Sequence, residues 1–220
     1  MKKIAILMAD LTGYTALTEI HGPQAAALII KKYVDLAHKS LVGDSYMLER
    51  IGDQLVIVST SADDLAKTAI GLYKKVALED HFLAIHAAIN FGDILEVDGH
   101  LYGSTINLTS RIAANAKEGK ILVTEDFINA LSEPNDFLFS FHKQIQFKNI
   151  REAKDVYEMI QEAGFSNRKK RIDPVCHMLL EDHEEEFTFE YHNKTHYFCS
   201  DHCKHIFIEQ VNHVHLMMNN

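Results

Sequence analysis

Asp10 closes the apolar run Lys3–Met8, and Gly13 follows it closely, so a carboxylate ends a buried strand where the next backbone can approach a ligand. Asp53 belongs to the turn pair Gly52-Asp53 between two further apolar runs, Ser45–Ile51 and Leu55–Thr60, which read as a tight hairpin. If the hairpin strands flank the first strand, Asp10 and Asp53 meet at one end of a sheet. Two carboxylates so placed repel unless they are protonated or bridged by metal, and bridging is the usual carboxylate route to Mg²⁺ on a nucleotide. Asn107 and Arg111 lie four apart on one helical face. An amide and a guanidinium in that relation can hold a ribose and stabilise charge on a phosphoryl group. Taken singly, each of these residues also reads as a turn, a cap or a polar surface stripe; their joint occurrence carries the argument.

A second constellation lies near the C-terminal end. Cys176, Cys199 and Cys203 are spaced C-x22-C-x3-C, and eight of the 14 histidines fall beyond residue 170. Three cysteines suit metal ligation or redox chemistry better than a disulfide framework. Soft sulfur donors favour Zn²⁺, Cu⁺ or an iron species over Mg²⁺. A fourth ligand could be His177, His202 or solvent; the plain alternative is reduced cysteines packed without metal. About 40 residues bury too little to fold securely alone, so metal or docking onto the rest of the chain is expected.

The elements that must position these residues alternate. Lys3–Met8 reads as a strand, and Gly22-Pro23 as the start of a helix with Pro23 near its first position. Ser61, three residues before Asp64, reads as the cap of a helix to about Leu78. Leu83–Ile89 and Ile94–Val97 read as two strands, with Asp98-Gly99 a further hairpin signal. Thr105–Ala116 has helical character, Lys120–Val123 is a strand and Glu125–Leu131 a short helix. Phe137–Phe147 and Asp155–Ile160 complete a sheet. The order predicts an α+β fold: a ferredoxin-like β-α-β-β-α-β core with an αβ extension, plus a small Cys/His-rich module. Gly164–Arg171, with its basic run Arg168-Lys169-Lys170-Arg171, reads as a solvated linker.

Composition narrows the function classes. With 47% hydrophobic and 24% charged residues the 220-residue chain is a packed globule rather than a disordered one. A formal charge of -9 argues against wrapping nucleic acid. Asp10 interrupts the apolar run that follows Met1-Lys2-Lys3, against a secretory signal, and no run approaches the roughly 18 apolar residues of a membrane span. A cytoplasmic protein without membrane partners is expected.

The segments Met8-Ala9-Asp10-Leu11-Thr12-Gly13-Tyr14-Thr15, Glu49-Arg50-Ile51-Gly52-Asp53 and Leu101–Arg111 together resemble the class III adenylyl and guanylyl cyclase family, in order, from about Lys3 to Glu162. The resemblance implies that Asp10 and Asp53, with the Leu11 carbonyl, hold two Mg²⁺ or Mn²⁺ ions. It also implies that Asn107 orients the ribose and that Arg111 stabilises the transition state, both lent by the second subunit of a homodimer. Where the adenylyl pattern has lysine and aspartate or threonine, this chain has Glu49 and His100. Guanine offers donors at N1 and N2 and an acceptor at O6, so the pair leans toward GTP over ATP. Lys148 stands where the family often has a Lys-Gly pair near the triphosphate, and by itself reads as a solvated strand-end lysine. The segments Asp173–Met178, Tyr191–Thr195 and Tyr197–Cys203 are similar to the YHS domain, close to the TRASH metal-sensing group, although His177 replaces the glycine usual after the first cysteine. The implied organisation is a cyclase domain over 1–163, a basic linker over 164–171 and a YHS-type domain over 172–215. The expected activity is purine nucleotide cyclisation tuned by the tail metal; the alternatives are an inactive cyclase fold that senses nucleotide or metal, and a metal-delivery protein.

Overall fold

The computed structural model describes residues 2–98, 100–148, 150–160, 171–181 and 186–218. Its first elements are β1 (Lys2–Leu11), α1 (Tyr14–His38), β2 (Tyr46–Ile51), β3 (Gln54–Ser59), α2 (Ala62–Ala77) and β4 (Ile85–Val97), the expected β-α-β-β-α-β order. The extension adds β5 (His100–Tyr102), α3 (Ser104–Ala113), β6 (Ile121–Thr124), α4 (Glu125–Ile128), β7 (Leu138–Ile145) and β8 (Lys154–Ile160). The tail comprises β9 (Arg171–Ile172), β10 (Leu179–Leu180), β11 (Thr188–Tyr191), β12 (Lys194–Tyr197) and α5 (Asp201–Met218).

The main sheet runs β2-β3-β1-β4-β6-β8-β7, with β5 paired to β4 off this path. The β4–β6 pairing is parallel and the others are antiparallel. β1 is central and buried on both faces, which explains why it reads as a continuous apolar run rather than an alternating one. Its odd residues, Ala5 to Leu11, pack with Leu55 and Ile57 in the core beneath α1 and α2. Its even residues, Ile4, Ile6 and Met8, pack with Val56, Val58 and the α3 residues Leu108 and Ile112. By the two-residue period of a strand, Asp10 continues the even face.

Two element boundaries differ from expectation. Helix α1 begins at Tyr14 rather than at Pro23; Gly22, at φ 81 and ψ 169, breaks it in the middle, and Pro23 resumes it. The first half buries little beyond Leu17, so its apolar period is short and hard to read. The expected strands Leu83–Ile89 and Ile94–Val97 are one strand, β4, running through Gly92, where a side chain would come within 2.7 Å of Thr105 Oγ1. The cap on α2 is as expected, with the Asp64 N–H donating to Ser61 Oγ at 3.1 Å.

The tail packs on the first domain. Leu179 N donates to Phe82 O at 2.7 Å, Met178 bridges Leu83, and Ile20 of α1 packs into the core formed by Val175, Cys176, Phe198 and Cys203. Phe198 and Phe207 have ring centroids 5.3 Å apart. Of the expected linker, 164–170 lies outside the described residues, as does Gly99 of the hairpin; Arg171 belongs to β9 and stacks on Tyr197 with its guanidinium 3.7 Å from the ring centroid. Among the described residues no helix is long and apolar enough to cross a membrane.

Candidate active site and metal centre

The β1–β3 pairing, with Ala9 opposite Leu55, carries Asp10 and Asp53 to the same end of the sheet, close enough for the Asp10 carboxyl to act on that of Asp53. Burial, then the hydrogen bond and negative charge of Asp10, push Asp53 up to about 6. The Leu11 N–H donates to Asp10 Oδ1 at 3.2 Å. A divalent ion between two such carboxylates removes their repulsion. Clustered carboxylate oxygens form a hard donor set that fits Mg²⁺ or Mn²⁺.

Two residues at this end carry no pattern in the sequence. His86, opposite Asp10 on β4, has Nε2 4.0 Å from Asp10 Oδ2 and Nδ1 3.1 Å from Thr12 Oγ1. Its pKa is lowered by burial, opposed by the charge of Asp53. Tyr33 is fully buried, and its hydroxyl makes no hydrogen bond among the described residues. Burial raises its pKa far above the phenol range, and the nearby charges of Asp10 and Asp53 add to this. A histidine inside an apolar run and a tyrosine on a helix face are ordinary core residues until the strand register is known.

Gly13 follows the carboxylate strand at φ 84 and precedes the first turn of α1, where its carbonyl accepts from Leu17 N at 2.9 Å. A side-chain carbon here would fall 2.3 Å from Cβ of His177, so the tail lies directly against the loop after Asp10.

Asn107 and Arg111 lie on α3, and the Arg111 guanidinium donates to the Lys148 carbonyl. These three form a second group: among the described residues no hydrogen bond or ion pair joins Asn107 or Arg111 to Asp10 or Asp53. Glu49 and His100, far apart in sequence, line one open cavity of about 270 Å³ with Leu48, Leu101 and Tyr102. Exposed apolar side chains surround this region: Tyr46 and Ile51 on β2, Leu95 and Val97 on β4, Tyr102 on β5.

In the tail, Cys199 Sγ lies 3.6 Å from Cys176 Sγ and 3.5 Å from Cys203 Sγ. The fourth donor at the cluster is His21, from α1: its Nε2 is 3.5 Å from Cys199 Sγ and 3.7 Å from Cys203 Sγ. All four donor atoms lie within 4.8 Å of one another. The histidines considered from sequence are elsewhere. His177 sits on Gly13, in the left-handed region at φ 62 that suits the glycine it replaces, and His202 is exposed. Hydrogen bonds from Cys176 and Cys199 hold Cys203 far below the thiol range, while those from Cys199 and Cys203 raise Cys176. The fully buried Asp173 carboxylate accepts from Val175 N at 2.8 Å, Cys176 N at 3.3 Å and Cys199 N at 2.8 Å, joining the two cysteine loops. The donor set is soft and suits Zn²⁺, Cu⁺ or iron.

Residues 1–161 match the family model of the adenylate and guanylate cyclase catalytic domain, and residues 171–210 that of the YHS domain. A pH-sensitive adenylate cyclase of Mycobacterium tuberculosis is 25% identical over 153 residues, which cover 68% of this chain and 38% of that protein. An adenylate cyclase of Glutamicibacter nicotianae is 28% identical over 136 residues, covering 61% of this chain and 33% of that one. The chain thus spans about a third of the length of these curated relatives. A Trypanosoma brucei adenylate cyclase, solved in its monomeric state, superposes with a TM-score of 0.66 over 72% of this chain and 90% of its own, at 17% identity, a likeness of fold.

Proposed function

We propose, from the premise that this chain belongs to the adenylate and guanylate cyclase catalytic-domain family, that it converts a purine nucleoside triphosphate to a 3′,5′-cyclic nucleotide and pyrophosphate. The ribose 3′-oxygen loses its proton and bonds to the α-phosphorus as the bond from that phosphorus to the β-phosphate oxygen breaks. The observation that carries this reading is the Asp10–Asp53 pair, two carboxylates brought together at one end of the sheet.

Asp10 and Asp53, with the Leu11 carbonyl, hold two Mg²⁺ or Mn²⁺ ions, which when bound acidify the 3′-hydroxyl and anchor the triphosphate. Asn107 orients the ribose, Arg111 stabilises the charge that grows on the phosphoryl oxygens, and Lys148, beside Arg111, meets the triphosphate. Two copies complete each site, one lending Asp10 and Asp53 and the other Asn107 and Arg111; among the described residues of one chain no hydrogen bond or ion pair joins the two groups. The exposed apolar residues of β2, β4 and β5 supply a surface for that pairing. Glu49 accepts from N1 and N2 of guanine and His100 donates to O6, which favours GTP over ATP. The three tail cysteines hold a soft metal that tunes the output.

The test is turnover by the purified chain with ATP and with GTP, each with Mg²⁺ and with Mn²⁺, products resolved by mass. Cyclic GMP as the main product supports the whole reading; cyclic AMP alone removes the base assignment; tight nucleotide binding without a cyclic product removes catalysis.

A further inference from the structure

The tail thiols do not stand alone, because their fourth neighbour comes from the other domain. We infer that His21 completes a Cys₃His site for Zn²⁺ with Cys176, Cys199 and Cys203, and that filling it pins the tail to α1 and fixes the helix leading out of the Asp10 loop. The inference deepens the soft-metal reading of the tail and does not depend on nucleotide chemistry.

Geometry decides for a closed tetrahedron. Zn–S bonds of about 2.3 Å and a Zn–N bond of about 2.0–2.1 Å at tetrahedral angles give S···S edges of about 3.8 Å and S···N edges of about 3.6 Å. Two of the three S···S edges are 3.6 and 3.5 Å and two of the three S···N edges 3.5 and 3.7 Å, and the remaining two, both to Cys176 Sγ, lie within 4.8 Å. Three thiolates and an imidazole filling all four positions describe a structural zinc site, with no open position for solvent.

The mechanical consequence follows from where His21 sits. Tyr14–His21 is a two-turn segment between Gly13 at φ 84 and Gly22 at φ 81, so its ends are jointed by left-handed glycines. The tail grips both ends: the thiols meet His21 at one, and His177 packs on Gly13 at the other. Ile20 anchors the middle in the tail core. Metal capture therefore reaches the backbone next to Asp10 through one short rigid helix.

The experiment uses the full chain, stripped with chelator under reducing conditions and reloaded with Zn²⁺. X-ray absorption is expected to show three sulfur neighbours and one nitrogen with the outer-shell scattering of an imidazole. His21→Ala should lose the imidazole signal and weaken Zn²⁺ at least about 10-fold in chelator competition. Zn²⁺ should slow amide exchange over residues 11–21 in the parent chain and not in the variant. His21→Gln replaces the alanine variant if the latter fails to fold. His202→Ala should behave as the parent chain. Imidazole scattering that persists in the His21 variants, or amide exchange over 11–21 indifferent to Zn²⁺ in the parent chain, would overturn the inference. None of these readouts uses nucleotide, so loss of the cyclase reading would leave them intact.

Discussion

Asp53, at the tip of the β2–β3 hairpin, meets Asp10 at the end of β1, and burial together with the Asp10 carboxyl raises the Asp53 pKa to about 6. Beside the ordinary carboxylate value of about 3.9, this means that the fold prefers Asp53 protonated. The preference is fully present below pH ~4 and is lost as the pH rises through about 6; above that the metal-free protein carries an uncompensated charge pair.

Asp53→Asn should therefore stabilise the metal-free chain at pH 8. A shift of this size on a fully buried group would correspond to a few kcal/mol, but Asp53 is only partly buried, and screening reduces the expected gain to about 1 kcal/mol. Urea midpoints in chelator should show a gain that shrinks as the pH falls from 6 to 4. An equal gain at every pH would mean that charge is not its source. Divalent affinity of the parent chain should also weaken below pH ~6, where protons compete for the same oxygens.

Arg111→Ala should cost about 10²–10³ in turnover, because the guanidinium acts on charge that develops in the transition state. Mixing Arg111→Ala with Asp53→Ala chains should restore up to about a quarter of parent activity: half the dimers are mixed, and each mixed dimer has one intact site. No recovery on mixing would contradict the shared site.

Replacing Glu49 by Lys together with His100 by Asp should reverse the base preference toward ATP. Each mispaired hydrogen bond is worth about 1–3 kcal/mol, so the ratio of kcat/KM for GTP over ATP should move by at least roughly 10-fold. An unmoved ratio would show that the cavity shared by these two residues does not read the base.

Asp173→Ala removes the acceptor for three buried N–H groups at the base of both cysteine loops. Each group left unpaired costs about 1–3 kcal/mol. Zn²⁺ affinity should fall about 10–100-fold, and the tail should become sensitive to protease even with metal present. Unchanged affinity would mean that the loops are held by packing alone.

Much of this was legible because the chemistry sits where local pattern is strong. Asp10 ends an unbroken apolar strand, Gly52-Asp53 is a two-residue turn, and Ser61 caps its helix through Asp64 as its spacing predicts. His21 was not legible. It precedes Gly22-Pro23, which reads as the start of a helix and hides the two turns before it, and its partners lie across a domain boundary where no periodicity reports a contact. His86 was hidden for a related reason, since only the β1–β4 register places it opposite Asp10. Two separate strands were expected where β4 runs unbroken through Gly92, whose missing side chain leaves the space that Thr105 fills.

Metal-assisted cyclisation, as proposed, depends on Asp10 and Asp53 together. Its most direct measurement is cyclic nucleotide formation, by mass, from the parent chain, Asp10→Ala and Asp53→Ala at saturating Mn²⁺ and nucleotide. The account predicts product from the parent chain and a loss of at least about 10²-fold in both variants; turnover undiminished in both would contradict it.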